Sequence, residues 1–241
     1  RVVRVRGGRR IQCRRGRRYL EKLIPGCGLA IALSDFSARE LRSAGFRNVS
    51  VLPFPFDENR LESPADPRIL GKLSDRRNPR VLFVGRLSPN KKQEDILKTF
   101  SVYQKYYQPA ATLCLIGPQN FASYSRRLGN IIRRLKIDAV EMPGKISDAA
   151  LRAYYQISDL FICLSEHEGF CVPLMESFYF NLPVIAYRAA AVPETMGGAG
   201  VLVDEKDPVK VAALINRVIE DEQLKKAILA SQNKRLEQLR K

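Results

Sequence analysis

A parallel, doubly wound α/β sheet is the fold class this sequence predicts, and three observations predict it. Six short apolar runs recur between Val81 and Val203, separated by segments whose apolar residues repeat at helical spacing. The runs are apolar nearly throughout, as strands covered on both faces must be. Strand and helix signals alternate, the pattern that crossover helices between parallel strands produce. The expected architecture is Rossmann-like, and the ligands of such sheets sit beyond the carboxyl ends of the strands.

Taken in order, the segment to about Phe56 opens on a basic stretch, followed by a short strand expected at Leu29–Leu33. Ser37 and Glu40 have capping-box spacing, which predicts a helix from Ala38 to Ala44 that stops at Gly45. Val49–Leu52 reads as a second strand, ended by Pro53 and Pro55. Residues 57–80 are polar and rich in Pro and Asp, and read as a linker with one helical turn over Pro67–Leu73.

The remaining strands are expected at Val81–Gly85, Thr112–Gly117, Val140–Met142, Leu160–Leu164, Pro183–Tyr187 and Gly200–Val203. Ile96, Leu97, Phe100, Tyr103 and Tyr107 mark one helix, and Leu128, Ile131, Ile132 and Leu135 the next. Ser147 is a good N-cap for a helix to Ile157 that turns Leu151, Tyr154 and Tyr155 inward. Pro208, after Asp207, starts a helix with Val211, Leu214, Ile215 and Val218 as its buried stripe. The expected division is 1–56 and 57–241.

Charge is uneven. Of a net +16, nine arginines lie within Arg1–Arg18 with no acid among them, leaving about +7 for the rest. Such a block reads as a solvated or disordered arm. It has almost no aromatic interleaving for base stacking, so nucleic acid is a poor partner and an anionic membrane surface a better one. No apolar run approaches the roughly 20 residues that span a bilayer. No apolar stretch follows the arginines as a secretory signal requires, so a cytoplasmic location is expected, peripheral to the membrane if the arm binds it. The cysteines Cys13, Cys27, Cys114, Cys163 and Cys171 form no pair with metal-ligand spacing, and there is one histidine. Cys114 and Cys163 read as buried thiols and no metal is expected.

Chemistry concentrates at two strand ends. Gly85-Arg86-Leu87 is followed by Lys91, so a glycine that admits close approach stands beside two cations five residues apart. That pair suits a diphosphate, the arginine by forked hydrogen bonds and the lysine as a point charge. Further on, Glu168-Gly169-Phe170-Cys171-Val172 leads into a helix expected to start at Pro173, with Glu176 one turn inside it. The backbone N–H groups of Gly169–Val172 would then face a ligand at a helix N-terminus, between two carboxylates.

These residues resemble the family 4 retaining glycosyltransferases of the GT-B fold. Glu168 and Glu176 match that family's Glu-x7-Glu signature, and Gly85-Arg86-Leu87 with Lys91 is similar to its Gly-Arg-Leu…Lys motif. Pro143-Gly144-Lys145 resembles the segment that approaches the base, and Ala189-Val192-Pro193-Glu194 the loop after the fifth strand. Ile31–Phe36, Gly45-Phe46 and Val51-Leu52-Pro53 look like the end of the N-terminal domain and its crossover.

The resemblance implies that Arg86 and Lys91 neutralise the donor diphosphate, that Glu168 contacts the sugar and that Glu176 holds the ribose hydroxyls. Backbone groups of Gly169, Phe170, Cys171 and Val172 would hold sugar or phosphate, with Gly85, Gly144 and Lys145 completing donor binding. It implies transfer of a hexose from a UDP- or GDP-sugar to a glycan or lipid-linked acceptor, with retention and without a metal. It also implies that residues 57–241 are the donor-binding domain and 1–56 a remnant of an otherwise missing N-terminal acceptor domain, so that this chain alone turns over weakly. Cys171 stands where many members have glycine, and Lys92 where glycine is commoner. The rival readings are a non-catalytic nucleotide-sugar-binding module or inactive truncated transferase, and a nucleic-acid binder working through its arginine arm.

Overall fold

The structure, a computed structural model, describes residues 8–52, 54, 56–62, 64–71 and 78–240, without the side chains of 8–15 and 59. Pro53, Pro55 and the expected end of the helical turn at 72–73 lie outside the described residues. The chain forms two compact units, Arg1–Phe54 and Pro55–Lys241.

In the first unit, α1 (Gly8–Leu23) leads through a 3-10 turn to β1 (Ala30–Ala32), α2 (Asp35–Ala44) and β2 (Val49–Val51). The strands pair in parallel, Ala30 opposite Val49. The arm is exposed over residues 16–20, as expected of a solvated segment, but it is helical and not disordered from Gly8 onward: arginine, glutamine and leucine are good helix formers, and Arg17 pairs with Glu21 one turn on at 3.1 Å. The start of α2 is corrected too. Ser34, in extended backbone, accepts a hydrogen bond from the Ser37 N–H at 3.1 Å, so the cap lies three residues earlier than the Ser37–Glu40 spacing suggests. Gly45 closes the helix at φ 108°.

The second unit is built on six parallel strands: β3 (Arg80–Val84), β4 (Thr112–Ile116), β5 (Val140–Gly144), β6 (Leu160–Cys163), β7 (Val184–Tyr187) and β8 (Val201–Val203). Their order across the sheet is β5-β4-β3-β6-β7-β8. The chain winds outward from β3 in one direction, then returns to its other side at β6 and winds the opposite way. The doubly wound α/β expectation therefore holds, with its topological switch point between β3 and β6. One face carries α5 (Gln93–Tyr106), α6 (Ala122–Leu135) and α10 (Pro208–Glu220) on Val81, Phe83, Leu113 and Leu115. The other carries α7 (Asp148–Ile157), α8 (Val172–Tyr179) and α9 (Val192–Met196) on Leu82, Cys114, Phe161 and Cys163. Alternate strand residues thus bury on opposite faces, which is why the runs are apolar without interruption. The last helix, α11 (Glu222–Leu239), turns Gln232 inward, where its amide bonds Val184 N–H and Leu182 C=O at 2.9 Å each.

Residues 57–80 are more than a linker. They hold α3 (Asn59–Glu62) and α4 (Pro67–Leu70), with Leu61 buried and Phe56, Ile69 and Leu70 packed on the α7–α8 face. The Asp66 N–H donates to Ala149 C=O at 3.0 Å. Three apolar residues set in this Pro- and Asp-rich segment, with Phe56 just before it, pack it onto the domain. Among the described residues, no helix is long and apolar enough to cross a membrane.

Ser147 caps α7 by accepting from the Ala150 N–H at 3.2 Å. Ser147→Ala is expected to cost about 1 kcal/mol in urea denaturation, with Ser147→Asp close to wild type. Equal stability of all three would show the cap to be idle.

Candidate functional site

Backbone approach shapes the end of β3. Gly117, at the end of β4, has φ 143°, and a Cβ there would lie 2.2 Å from the Gly85 carbonyl oxygen. Gly85 itself has φ 154°, and a Cβ on it would come within 3.0 Å of the Phe83 ring. Only glycine fits this crossing. The Gly85 N–H donates to Ile116 C=O at 2.8 Å and the Leu87 N–H to Pro118 C=O at 3.0 Å. Leu87 buries as an anchor, leaving Arg86 exposed. Among the described residues, the Arg86 guanidinium has no ionic or hydrogen-bonded partner.

A 3-10 turn over Pro89–Lys91 follows, and Lys92 enters α5 in the left-handed conformation, φ 54°. That conformation is the physical reason glycine suits the position. The turn is fastened across the switch point: the Glu166 N–H donates to Asn90 C=O at 2.8 Å, and the Lys91 ammonium donates to the Glu168 carboxylate. Glu168 is only 5% exposed, so its charge is held by Lys91 in a largely dry setting.

The β6–α8 loop supplies the opposite wall. Cys171 caps α8 in the left-handed region, φ 74°, and the helix begins at Val172, one residue before the expected Pro173. Thr195 donates its hydroxyl proton to Phe170 C=O, and the Ala191 N–H donates to Glu168 C=O at 3.2 Å, so α9 fixes the loop from behind. Phe170 and Cys171 bury their side chains.

Glu176, on α8, is 3% exposed. One carboxylate oxygen accepts from Tyr155 Oη at 2.7 Å and the other from the Arg60 guanidinium of α3. Burial raises the carboxyl above the ordinary value of 4.5, and Tyr155 and Arg60 offset this only in part. Burial and the Glu176 charge raise the Tyr155 hydroxyl well above 10.0. Stacking of Tyr155 on Phe180, 5.1 Å between centroids, holds the ring in place.

A second ionic group braces the same loops. Lys206 reaches Glu166 at 2.8 Å and Asp95 at 3.1 Å, and Lys92 reaches Glu166 at 3.1 Å. Burial opposes ionisation of both acids, but these lysines, with Lys98 at Asp95, outweigh it and hold the carboxyls below their ordinary values. Gly144 and Lys145 stand at the end of β5, two strands from β3. The Gly144 carbonyl accepts from the Gly117 N–H at 3.0 Å, and Lys145 is exposed.

The fold therefore brings Gly85, Arg86, Lys91, Glu168 and the α8 N-terminus together at the switch point, with Glu176 one turn inside α8 and Gly144-Lys145 two strands away at the end of β5. Sequence reasoning missed Arg60, Asn90 and Lys206. It read Tyr155 as a core residue only, although a tyrosine on a buried stripe needs a partner for its hydroxyl. Cys163, Glu168 and Cys171 place one ligand atom each within 4.8 Å of one another.

Comparisons with known proteins agree with this fold. The profile of the glycosyl transferases group 1 family matches residues 69–235. The O-antigen chain mannosyltransferase B of Escherichia coli is 23% identical over 222 residues, covering 85% of this chain and 56% of the relative. The chain thus spans about half the length of that relative. The structure of Anabaena Alr3699/HepE in complex with UDP-glucose superposes with a TM-score of 0.74 at 25% identity, over 92% of this chain and 66% of the other. The C-terminal domain of a glycosyl transferase group 1 family protein (LpcC) from Francisella tularensis shares the fold, with a TM-score of 0.62 at 22% identity, and 97% of it is covered by 76% of this chain.

Proposed function

As the chain belongs to the glycosyl transferases group 1 family, we propose that it is the donor-binding half of a retaining transferase of the family 4 type. It moves a hexose from a UDP- or GDP-sugar to a glycan or lipid-linked acceptor in polysaccharide assembly. The observation that carries this reading is the open Arg86 beside the Lys91–Glu168 pair at the switch point of a doubly wound sheet.

Arg86 and Lys91 offset the diphosphate charge and its growth as the nucleotide leaves, which supplies what a divalent metal would otherwise provide for transfer. Glu168 contacts the sugar, with Lys91 shared between its carboxylate and the phosphate. Backbone N–H groups of the Gly169–Val172 turn hold sugar or phosphate. Glu176 receives the ribose hydroxyls, exchanging at least part of its bond to Arg60. Gly144 and Lys145 approach the base. The acceptor site lies in a domain of which residues 1–56 are the end, so the chain alone transfers sugar weakly. The basic α1 suits an anionic membrane surface on the cytoplasmic side.

Calorimetry with UDP, GDP and ADP tests this. One diphosphate is expected to bind selectively. Arg86→Ala is expected to weaken it by about 10- to 30-fold, the worth of a charge-assisted hydrogen bond. Because the Arg86 guanidinium has no partner among the described residues, the melting temperature of this variant should stay at the wild-type value. Binding of none of the three, or unchanged affinity in Arg86→Ala, would overturn the reading.

A further inference from the structure

The buried thiols of Cys163 and Cys171 lie 3.9 Å apart at the end of β6 and the start of α8. The nearer carboxylate oxygen of Glu168 is 4.0 Å from Cys163 Sγ, while its other oxygen takes the Lys91 ammonium. All three side chains are buried. We propose that Cys163, Glu168 and Cys171 form a binding site for one thiophilic divalent cation of the zinc class, held by two thiolates and one carboxylate oxygen.

Four arguments support it. Two metal–sulfur bonds of about 2.3 Å at the tetrahedral angle place their sulfurs about 3.8 Å apart, close to the spacing found here. A disulfide needs about 2.05 Å, so the thiols stand at the separation of co-ligands and not of a bond. Charge balances as well: two thiolates and a carboxylate around a dication leave one negative charge, which Lys91 cancels. Lys91 on the outer carboxylate oxygen and the Ser165 hydroxyl at 3.3 Å from Cys163 Sγ are the outer groups that orient such ligands. Finally, Cys171 stands at φ 74°, where a side chain costs about 1–2 kcal/mol against glycine. A cysteine kept there, with its sulfur turned to a second thiol and an acid, gains a use as a ligand.

Binding releases the two thiol protons to solvent as the two metal–sulfur bonds form, with no change of oxidation state. A water completes four-coordination. On the donor-site reading above, a loaded ion also withdraws Glu168 from the sugar, making the site inhibitory. The ion is thus distinct from any requirement of the transfer itself.

The test is titration of the reduced, chelator-treated chain with Co2+, a spectroscopic stand-in for zinc. One equivalent is expected to produce a thiolate-to-cobalt charge-transfer band with tetrahedral ligand-field absorption, displaced by Zn2+. Cys171→Gly removes a ligand at a position whose backbone favours glycine, and should weaken binding by at least about 100-fold with the fold intact by circular dichroism. Cys163→Ser, close in size, should do the same if Cys171→Gly folds poorly. The double variant Cys13→Ser, Cys27→Ser should keep the signal. No charge-transfer band in the wild type, a band that survives in the folded Cys171→Gly or Cys163→Ser chain, or a band lost with Cys13 and Cys27 would each overturn the proposal. None of these readings uses nucleotide, so a failed donor reading and a failed metal site are told apart.

Discussion

Lys91→Ala is expected to destabilise the second unit by about 3 kcal/mol, the lower end of the cost of orphaning a buried charge, because Lys91 itself keeps some contact with water. Glu168 has nowhere to turn: its second oxygen faces the Cys163 thiol, and its own carbonyl is tied to Ala191. In a unit of this size that loss lowers the melting temperature by about 6–12 °C. Nucleotide diphosphate affinity should fall with it by about 100-fold, since the point charge offered to the phosphates is gone. Lys91→Arg should recover most of the stability and part of the affinity. Thermal scans and calorimetry on the same samples decide it. A Lys91→Ala chain that melts like wild type would mean that the Glu168 pair is a surface contact of no consequence.

Glu176→Ala should cost about 100-fold in affinity, as the two ribose hydroxyls lose a charged acceptor. It also strips the buried Tyr155 hydroxyl of its acceptor, a penalty of about 1–3 kcal/mol in stability. Its pH signature has a definite sign. The folded carboxyl titrates above 4.5, so the folded state holds the proton more tightly than the unfolded chain. The stability this contributes is complete below 4.5 and is lost as pH rises through the raised folded value. The difference between wild type and Glu176→Gln in urea denaturation should therefore change across the range just above pH 4.5, and be flat elsewhere. A difference independent of pH would show that Glu176 titrates normally.

Much of the fold was legible because its signals are local. Strand runs, the Ser147 and Asp207 caps and the Val211–Val218 stripe each depend on residues within one element. The observed strands differ from the expected ones by one or two residues at their ends. The paired charges of the site were legible in part, since Arg86, Lys91, Glu168 and Glu176 sit at strand and helix ends where ligands meet parallel sheets. What escaped were partners distant in sequence. Arg60 and Glu176 are 116 positions apart, and Arg60 lay in a segment whose prolines and acids read as linker. The thiol pair was hidden differently: Cys163 and Cys171 are eight positions apart, and only a strand that ends and a helix that doubles back bring their sulfurs together. The cap of α2 was misread because Ser34 and Ser37 both precede acidic residues, and only the extended backbone at Ser34 distinguishes them.

The crossing of Gly85 over Gly117, with Gly117 bonded in turn to Gly144, has a mechanical consequence. A side chain between two strands can absorb a displacement by changing rotamer; here nothing larger than a hydrogen atom intervenes, and there is no such slack. The ends of β3, β4 and β5 are linked main chain to main chain. A shift at Gly144, where the base is proposed to dock, should therefore be felt at Arg86 through the main chain. Occupancy at one end of the nucleotide should then stiffen the backbone that aims at its phosphates, so that the two halves of the ligand are felt as one.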